Sequence, residues 1–172
     1  MSLDLRQHYP LPSAPRPIVV IGTGGIVTDA HLPAYRKARL PVAGVFDVDS
    51  AKAGAVAKQW NIPRVFGSLA EATAVPNCVF DVAAPPVAHA DVVAALPRGA
   101  VVLLQKPMGL DLPAASRIRS ACRERGLVAA VNFQLRFAPM MLGVADALAR
   151  GLLGTLVDIE VHLNLVDRKS VV

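Results

Sequence analysis

The sequence predicts an α/β fold: a doubly wound parallel sheet, followed by the first strand of a truncated α+β domain. Three observations predict it. Short apolar runs alternate with segments of helical period, the rhythm of strand, helix, strand, helix. The runs are continuously apolar, as strands covered on both faces require. Beyond Leu156 the pattern changes to strict alternation of apolar and polar residues. The 172 residues are 53% hydrophobic and 18% charged, enough for a core, which excludes a disordered chain. Aromatic residues are only 5%, too few to stack bases, so no nucleic-acid partner is expected.

Residues 1–16 carry Pro10, Pro12 and Pro15 among polar neighbours and read as a flexible arm without a core of its own. From Pro17 the strands are Ile18–Ile21, Val42–Phe46, Val79–Ala83, Val101–Leu104 and Val128–Val131, making 17–135 the parallel-sheet domain. Asp111 followed by Pro113 marks a helix start, and Gly126 stands where that helix would be capped. Residues 136–155 read as a connecting helix and turn. From Val157 to Leu165 the odd positions are apolar and the even ones polar, a strand with one wet face that opens a second domain at 156–172. Such a strand finds no partner in the few residues that follow, so the second domain is expected to continue beyond this chain.

Charge and cysteines narrow the class further. The net charge of +5 is concentrated at Arg117, Arg119, Arg123 and Arg125, the outer side of a helix whose inner side is Ala115, Ile118 and Cys122. Cys78 and Cys122 have neither disulfide nor metal-ligand spacing and read as core, so no metal is expected. No basic segment leads into an apolar run, and the apolar stretches are broken by Asp81, His89 and Asp91. A cytoplasmic protein without a membrane partner is the expectation.

The chemistry starts at Ile18-Val-Val-Ile-Gly22-Thr23-Gly24-Gly25-Ile26-Val27, a buried strand, a glycine turn and a helix. Gly22 permits the tight turn, and Gly24 lets backbone N–H groups at the helix start approach a pyrophosphate. The third position of that fingerprint is Val27 instead of Gly or Ala, so helix and strand must pack differently there. Asp47 ends the second strand 25 residues after Gly22, where a spacing of about 20 is usual for the acid that binds the adenosine ribose. A carboxylate there would repel a 2′-phosphate, so NAD is expected ahead of NADP. Asp49 is either that acid or the first residue of the following helix. Adenosylmethionine is the competing ligand for such a turn.

Later strand ends carry Ala84-Pro85-Pro86 with His89, Gln105-Lys106-Pro107, and Asn132 with Arg136. Ligands of an open parallel sheet lie beyond these ends. His89 is either a cofactor contact or a residue of a helix's first turn. Lys106 is a charge directly after a buried strand, which points to a site role.

Together, Gly22-Thr-Gly24-Gly25-Ile26 with Ala30-His31-Leu32-Pro33, the Asp47 strand end, Pro85-Pro86 with His89, Gln105-Lys106-Pro107, and Asn132-Phe-Gln-Leu-Arg136-Phe-Ala-Pro139 resemble the Gfo/Idh/MocA oxidoreductases, relatives of glucose-fructose oxidoreductase and inositol dehydrogenase. The resemblance runs from residue 17 to about 166. It implies an NAD(P)-binding Rossmann-type domain over 17–135, then a sheet domain that forms the substrate site and the interface of a homo-oligomer. It implies that Gly22, Thr23, Gly24, Gly25, Ile26, Asp47, Pro85, His89, Gln105, Lys106, Pro107 and Arg136 bind cofactor. By the same resemblance Lys106 is catalytic, beside nicotinamide and substrate, and the bond before Pro107 is cis. Gln105 stands where the family has Glu, which removes a negative charge next to Lys106. The expected activity is hydride transfer between a nicotinamide cofactor and a sugar, cyclitol or related polyol. The alternative is a non-catalytic NAD(H)-binding module or an inactive fragment, and the chain alone is expected to turn over poorly.

Overall fold

A computed structural model describes residues 3–162 of the chain. It divides into two compact units, Pro10–Gln134 and a smaller one that joins the chain up to Tyr9 with the chain from Leu135 onward.

The larger unit is a five-stranded parallel sheet in the order β2-β1-β3-β4-β5. Its strands are β1 (Ile18–Ile21), β2 (Val42–Phe46), β3 (Val79–Val82), β4 (Val101–Leu104) and β5 (Val128–Val131). The intervening helices are α1 (Leu32–Ala38), α2 (Ser50–Trp60), α3 (Leu69–Thr73), α4 (His89–Ala95) and α5 (Leu112–Glu124). β1 is buried along its whole length. Val19 and Ile21 join Phe80, Val82 and Leu104 in one core, while Ile18 and Val20 join Val45, Val56 and Leu32 in another. Alternate β1 residues therefore feed opposite faces, which explains the continuously apolar run. Each such Val or Ile contributes about 1.5–3 kcal/mol on burial.

Local chemistry sets the helix ends. The Asp49 carboxylate accepts the Lys52 N–H at 3.0 Å and caps α2, so it has the helix-start role, and it also lines the cavity described below. Asp111 caps α5 in the same way through the Ala114 N–H at 2.7 Å, with Pro113 in the first turn. After α5, Gly126 takes φ +64° and lets the Leu127 N–H reach the Cys122 carbonyl. Both cysteines are buried free thiols, and burial pushes both up from the usual thiol range.

Four expectations need correction. β3 ends at Val82, one residue early, although the Ala83 N–H still bonds to the Ile21 carbonyl. Among the described residues β5 is an edge strand, with Val128 65% exposed, and β4 buries only the alternate residues Val102 and Leu104, so the cover on both faces thins out from β4 onward. The N-terminal residues are not a free arm. The Arg6 N–H bonds to Asp146 Oδ2 at 3.1 Å, Arg150 Nη1 donates to the Asp4 carbonyl at 2.8 Å, and Tyr9 meets the edge of Phe137. These tie the N-terminus to α6 (Pro139–Ala149).

The fourth concerns Val157–Leu165. Its described part, up to His162, forms no strand, and Val157, Ile159 and Val161 are exposed. An extended segment needs a neighbour for its backbone hydrogen bonds, and among the described residues none pairs with it. Leu163 and Leu165 lie outside the described residues. Among the described residues no helix is long and apolar enough to cross a membrane.

Candidate functional site

The chain leaves β1 toward β2 on one side and returns to β3 on the other, so a crevice opens beyond the strand ends at β1 and β3. It holds a cavity of about 770 Å³ lined by Gly22, Thr23, Gly24, Asp47, Lys52 and Pro85, among others. Gly22 sits at φ +93°, and a Cβ there would stand 2.8 Å from the backbone of Ala83 and Ala84. Both the conformation and the contact therefore require glycine. Gly24 is different: a Cβ there meets nothing within 4 Å. Its side is open toward the cavity it lines, which leaves room for a ligand.

Thr23, fully buried between these glycines, is the residue that fastens the turn. Its backbone N–H and its hydroxyl both donate to Asp47 Oδ2, at 2.7 and 2.8 Å, and the Asp49 N–H donates to Oδ1 at 3.1 Å. Partial burial pushes the Asp47 carboxyl up. The N–H bonds from Asp49 and Thr23, the Thr23 hydroxyl and nearby Lys52 outweigh it and hold the group below the usual carboxylate range. Asp47 is thus an ionised acceptor that joins the end of β2 to the glycine turn.

Behind the turn the helix starts at Gly25 and Ile26 and passes through a π-helical turn, Val27–His31. The Leu32 N–H bonds to the Val27 carbonyl, and Pro33 has no N–H for Asp29. Val27 is buried in the core here, which is how helix and strand pack without a third glycine. Ile26 is partly exposed and, like Gly25, does not line the cavity.

The later strand ends divide. Pro85 lines the cavity; His89, Gln105, Lys106 and Pro107 do not. His89 opens α4 as a fully buried residue, its ring nitrogens 2.9 Å from the Met108 carbonyl and 3.1 Å from that of Ala84. Its place in the first turn is therefore a packed one. The buried Gln105 accepts the Lys106 N–H through Oε1 at 3.0 Å, and its own N–H bonds to the Val82 carbonyl. Lys106 is exposed and its bond to Pro107 is cis. Arg136 is exposed in a 3-10 turn, Gln134–Phe137, and belongs to the smaller unit.

Several residues were not singled out from sequence. Lys52 and Asp91 line the cavity, brought there by the first turns of α2 and α4. A buried network also lies behind the site. Asp81 Oδ2 is 2.7 Å from His31 Nδ1 and accepts the Tyr35 hydroxyl at 2.8 Å, while His31 Nε2 is 3.2 Å from Asn132 Nδ2. Burial pushes the Tyr35 phenol up, and the charge and hydrogen bond of Asp81 push it further. The available signal was an Asp inside an apolar strand, together with His31 and Tyr35 at helical i, i+4 spacing. Among the described residues no cluster of His, Cys, Asp and Glu could hold a metal ion.

Residues 16–133 match the family described as "Oxidoreductase family, NAD-binding Rossmann fold". An uncharacterized oxidoreductase, sll0816 of Synechocystis sp., is 33% identical over 89% of this chain and 42% of its own. D-xylose 1-dehydrogenase (NADP(+)) 2 of Haloferax volcanii is 30% identical over 76% of this chain and 41% of its own. Among solved structures, KijD10, a 3-ketoreductase from Actinomadura kijaniata in complex with TDP-benzene and NADP, superposes with a TM-score of 0.66 at 30% identity. That match covers 81% of this chain and 45% of KijD10. UDP-N-acetylglucosamine 3-dehydrogenase GnnA from Acidithiobacillus ferrooxidans gives 0.66 at 27% identity, over 78% of this chain and 43% of its own. The chain thus spans about two fifths of the length of these relatives. Two of them are named with NADP, so the ranking of NAD ahead of NADP drawn from Asp47 does not stand. With its glycine turn, its parallel sheet and its matched residues in one order, the chain belongs to the Gfo/Idh/MocA oxidoreductase family and carries that family's NAD(P)-binding Rossmann domain.

Proposed function

We propose that this chain is the nucleotide-binding half of an NAD(P)-dependent oxidoreductase that moves hydride between a nicotinamide cofactor and a sugar, cyclitol or related polyol. The observation that carries the reading is the turn itself. Gly22 and Gly24 border a cavity of about 770 Å³, and Thr23 between them is bonded to an ionised Asp47. The residues fit a dinucleotide: the open side of Gly24 admits a phosphate against backbone N–H groups, and Asp47 keeps acceptor capacity for a ribose hydroxyl.

When bound, the cofactor supplies the hydride-accepting or hydride-donating ring. The chain's own task is orientation. The glycine turn and Asp47 hold the adenosine and phosphate end, and Pro85 walls the cavity at the end of β3. Lys106, on the loop after β4, orients the reacting hydroxyl or shares its proton. Relatives named for sugar and sugar-nucleotide oxidation or reduction support the substrate class. A non-catalytic NAD(H)-binding module is the second reading, favoured by one observation. Gln105 replaces the family's acid and spends its side-chain oxygen on the Lys106 N–H.

Calorimetric titration of the chain with NADH, NADPH and adenosylmethionine tests the proposal. Binding of either dinucleotide and not of adenosylmethionine is the expected result. A folded sample that binds neither dinucleotide would overturn the nucleotide-binding reading.

A further inference from the structure

The buried group of Asp81, His31, Tyr35 and Asn132 forms one chain of hydrogen bonds whose directions are fixed from its inner end. Asp81 is enclosed, and its Oδ2 accepts the Tyr35 hydroxyl at 2.8 Å, with His31 Nδ1 at 2.7 Å from the same oxygen. An ionised carboxylate only accepts, so Nδ1 carries the hydrogen. Nε2 then holds a lone pair, and the atom that meets it at 3.2 Å is Asn132 Nδ2, a donor. A hydrogen on Nε2 would set donor against donor, and an Asn132 amide turned over would set its oxygen against the lone pair. The Asn132 side-chain oxygen is therefore aimed away from His31. Among the described residues it takes no hydrogen bond, and it is not enclosed.

The backbone holds this arrangement at the strand ends. The π-helical turn Val27–His31 ends on His31, and Tyr35 follows at i+4 on α1. Asn132 directly follows β5, and its N–H bonds to the Leu104 carbonyl, beside Gln105 and Lys106. Because His31 bonds to β3 through one nitrogen and to Asn132 through the other, the Asn132 amide reaches back over β4, the strand between them. Asp47 stands at the end of β2 and the glycine turn at the end of β1, so a dinucleotide with its adenosine end there runs on past β3 toward β4. From β1 to β4 is two strand spacings, about 10 Å, a span that the ribose and nicotinamide beyond the pyrophosphate cover. At that end of the dinucleotide the carboxamide NH2 is the only N–H donor, and a fixed amide oxygen is its complement.

We infer that Asn132 receives the nicotinamide carboxamide, its side-chain oxygen turned outward by His31 and Asp81 as positioning residues. This role presupposes the nucleotide-binding reading above and adds to it the group that sets the rotation of the reacting ring.

Nitrogen-detected NMR of the isotope-labelled chain tests the orientation. Hydrogen on Nδ1 of His31 and a bare Nε2 at neutral pH are expected, and hydrogen on Nε2 would overturn the inference. Calorimetric titration tests the contact, with NADH, or NADPH if it binds tighter, beside the acetylpyridine analogue of the same dinucleotide, which keeps the carbonyl and lacks the NH2. In Asn132→Ala the affinity for the natural dinucleotide should fall about fivefold, the size of one lost hydrogen bond, while that for the analogue stays unchanged. Equal losses for both would overturn the inference in favour of a packing role. Two unchanged affinities would also overturn it, and would point to a polyol hydroxyl as the partner of Asn132. If Asn132→Ala does not fold, Asn132→Ser, whose hydroxyl is too short to span the gap, decides by the same ratio. A folded native chain that bound neither dinucleotide would overturn the nucleotide-binding reading and this contact with it, whereas native binding with equal or absent losses overturns the contact alone.

Discussion

The two ends of one sheet edge are built by opposite means. At β1 and β2 the turn is organised by polar groups that also line the cavity: Thr23 and Asp47 are bonded to each other and face the place a nucleotide would take. At β4 the loop is organised from behind, by His89, Gln105 and the contact of Gly109 with α5, none of which lines that cavity. On the proposed function, the first arrangement would couple stability to cofactor binding, because the same atoms would serve both. The second separates them, leaving the exposed Lys106 free of any structural duty among the described residues.

Substitutions should expose that difference, from the largest effect downward. Gly22→Ala meets a positive φ and the backbone of Ala83 and Ala84 at once. It should cost about 3 kcal/mol or more in urea unfolding and abolish dinucleotide binding. Lys106→Met should behave in the reverse way, leaving urea unfolding within about 0.5 kcal/mol. In the family-length protein it should lower turnover by about 10²–10⁴-fold if Lys106 handles the proton. A sensor without catalysis would keep its response to NAD(H), which separates the two functional readings.

Asp47→Ala should cost about 1–3 kcal/mol, because the buried Thr23 donors lose their acceptor, and should weaken dinucleotide binding in the same titration. Its pH dependence has a definite sign. The folded-state carboxyl lies below its ordinary value, so its contribution is complete above the usual carboxylate range and is lost as pH falls through the folded value. The stability gap between the native chain and Asp47→Asn should therefore narrow on acidification, and a gap that widened would refute the assignment. Asp49→Ala should be the mildest, about 1 kcal/mol for the lost cap of α2 and no more than a small change in affinity. An affinity loss matching that of Asp47→Ala would mean that both acids read the ribose.

Much of the molecule was legible because its signals are local. Val19, Val20 and Ile21 need cover on both faces wherever they sit, and Asp111 with Gly126 marks the ends of α5 by hydrogen bonding within a few residues. Gly22 was legible for the same reason, since its φ is a property of the turn. The strand predicted from Val157 failed on the converse ground: alternation describes a face, and a face becomes a strand only when another backbone pairs with it. The N-terminal residues misled in a similar way, their prolines hiding the bonds that Arg6 and Asp4 make to Asp146 and Arg150.

By itself, then, the sequence determined the parallel α/β architecture, the glycine turn, the acid at the end of β2 and the family, because backbone conformation and apolar period are written in adjacent residues. Only the tertiary structure decided what the side chains do with one another. It made Asp47 a clamp on Thr23, joined His31 to Asp81 across 50 positions and enclosed His89 between two loops. Those bonds depend on which elements the sheet order brings together, and the hydrogen-bonding capacity of a lone His or Asp carries no record of its partner.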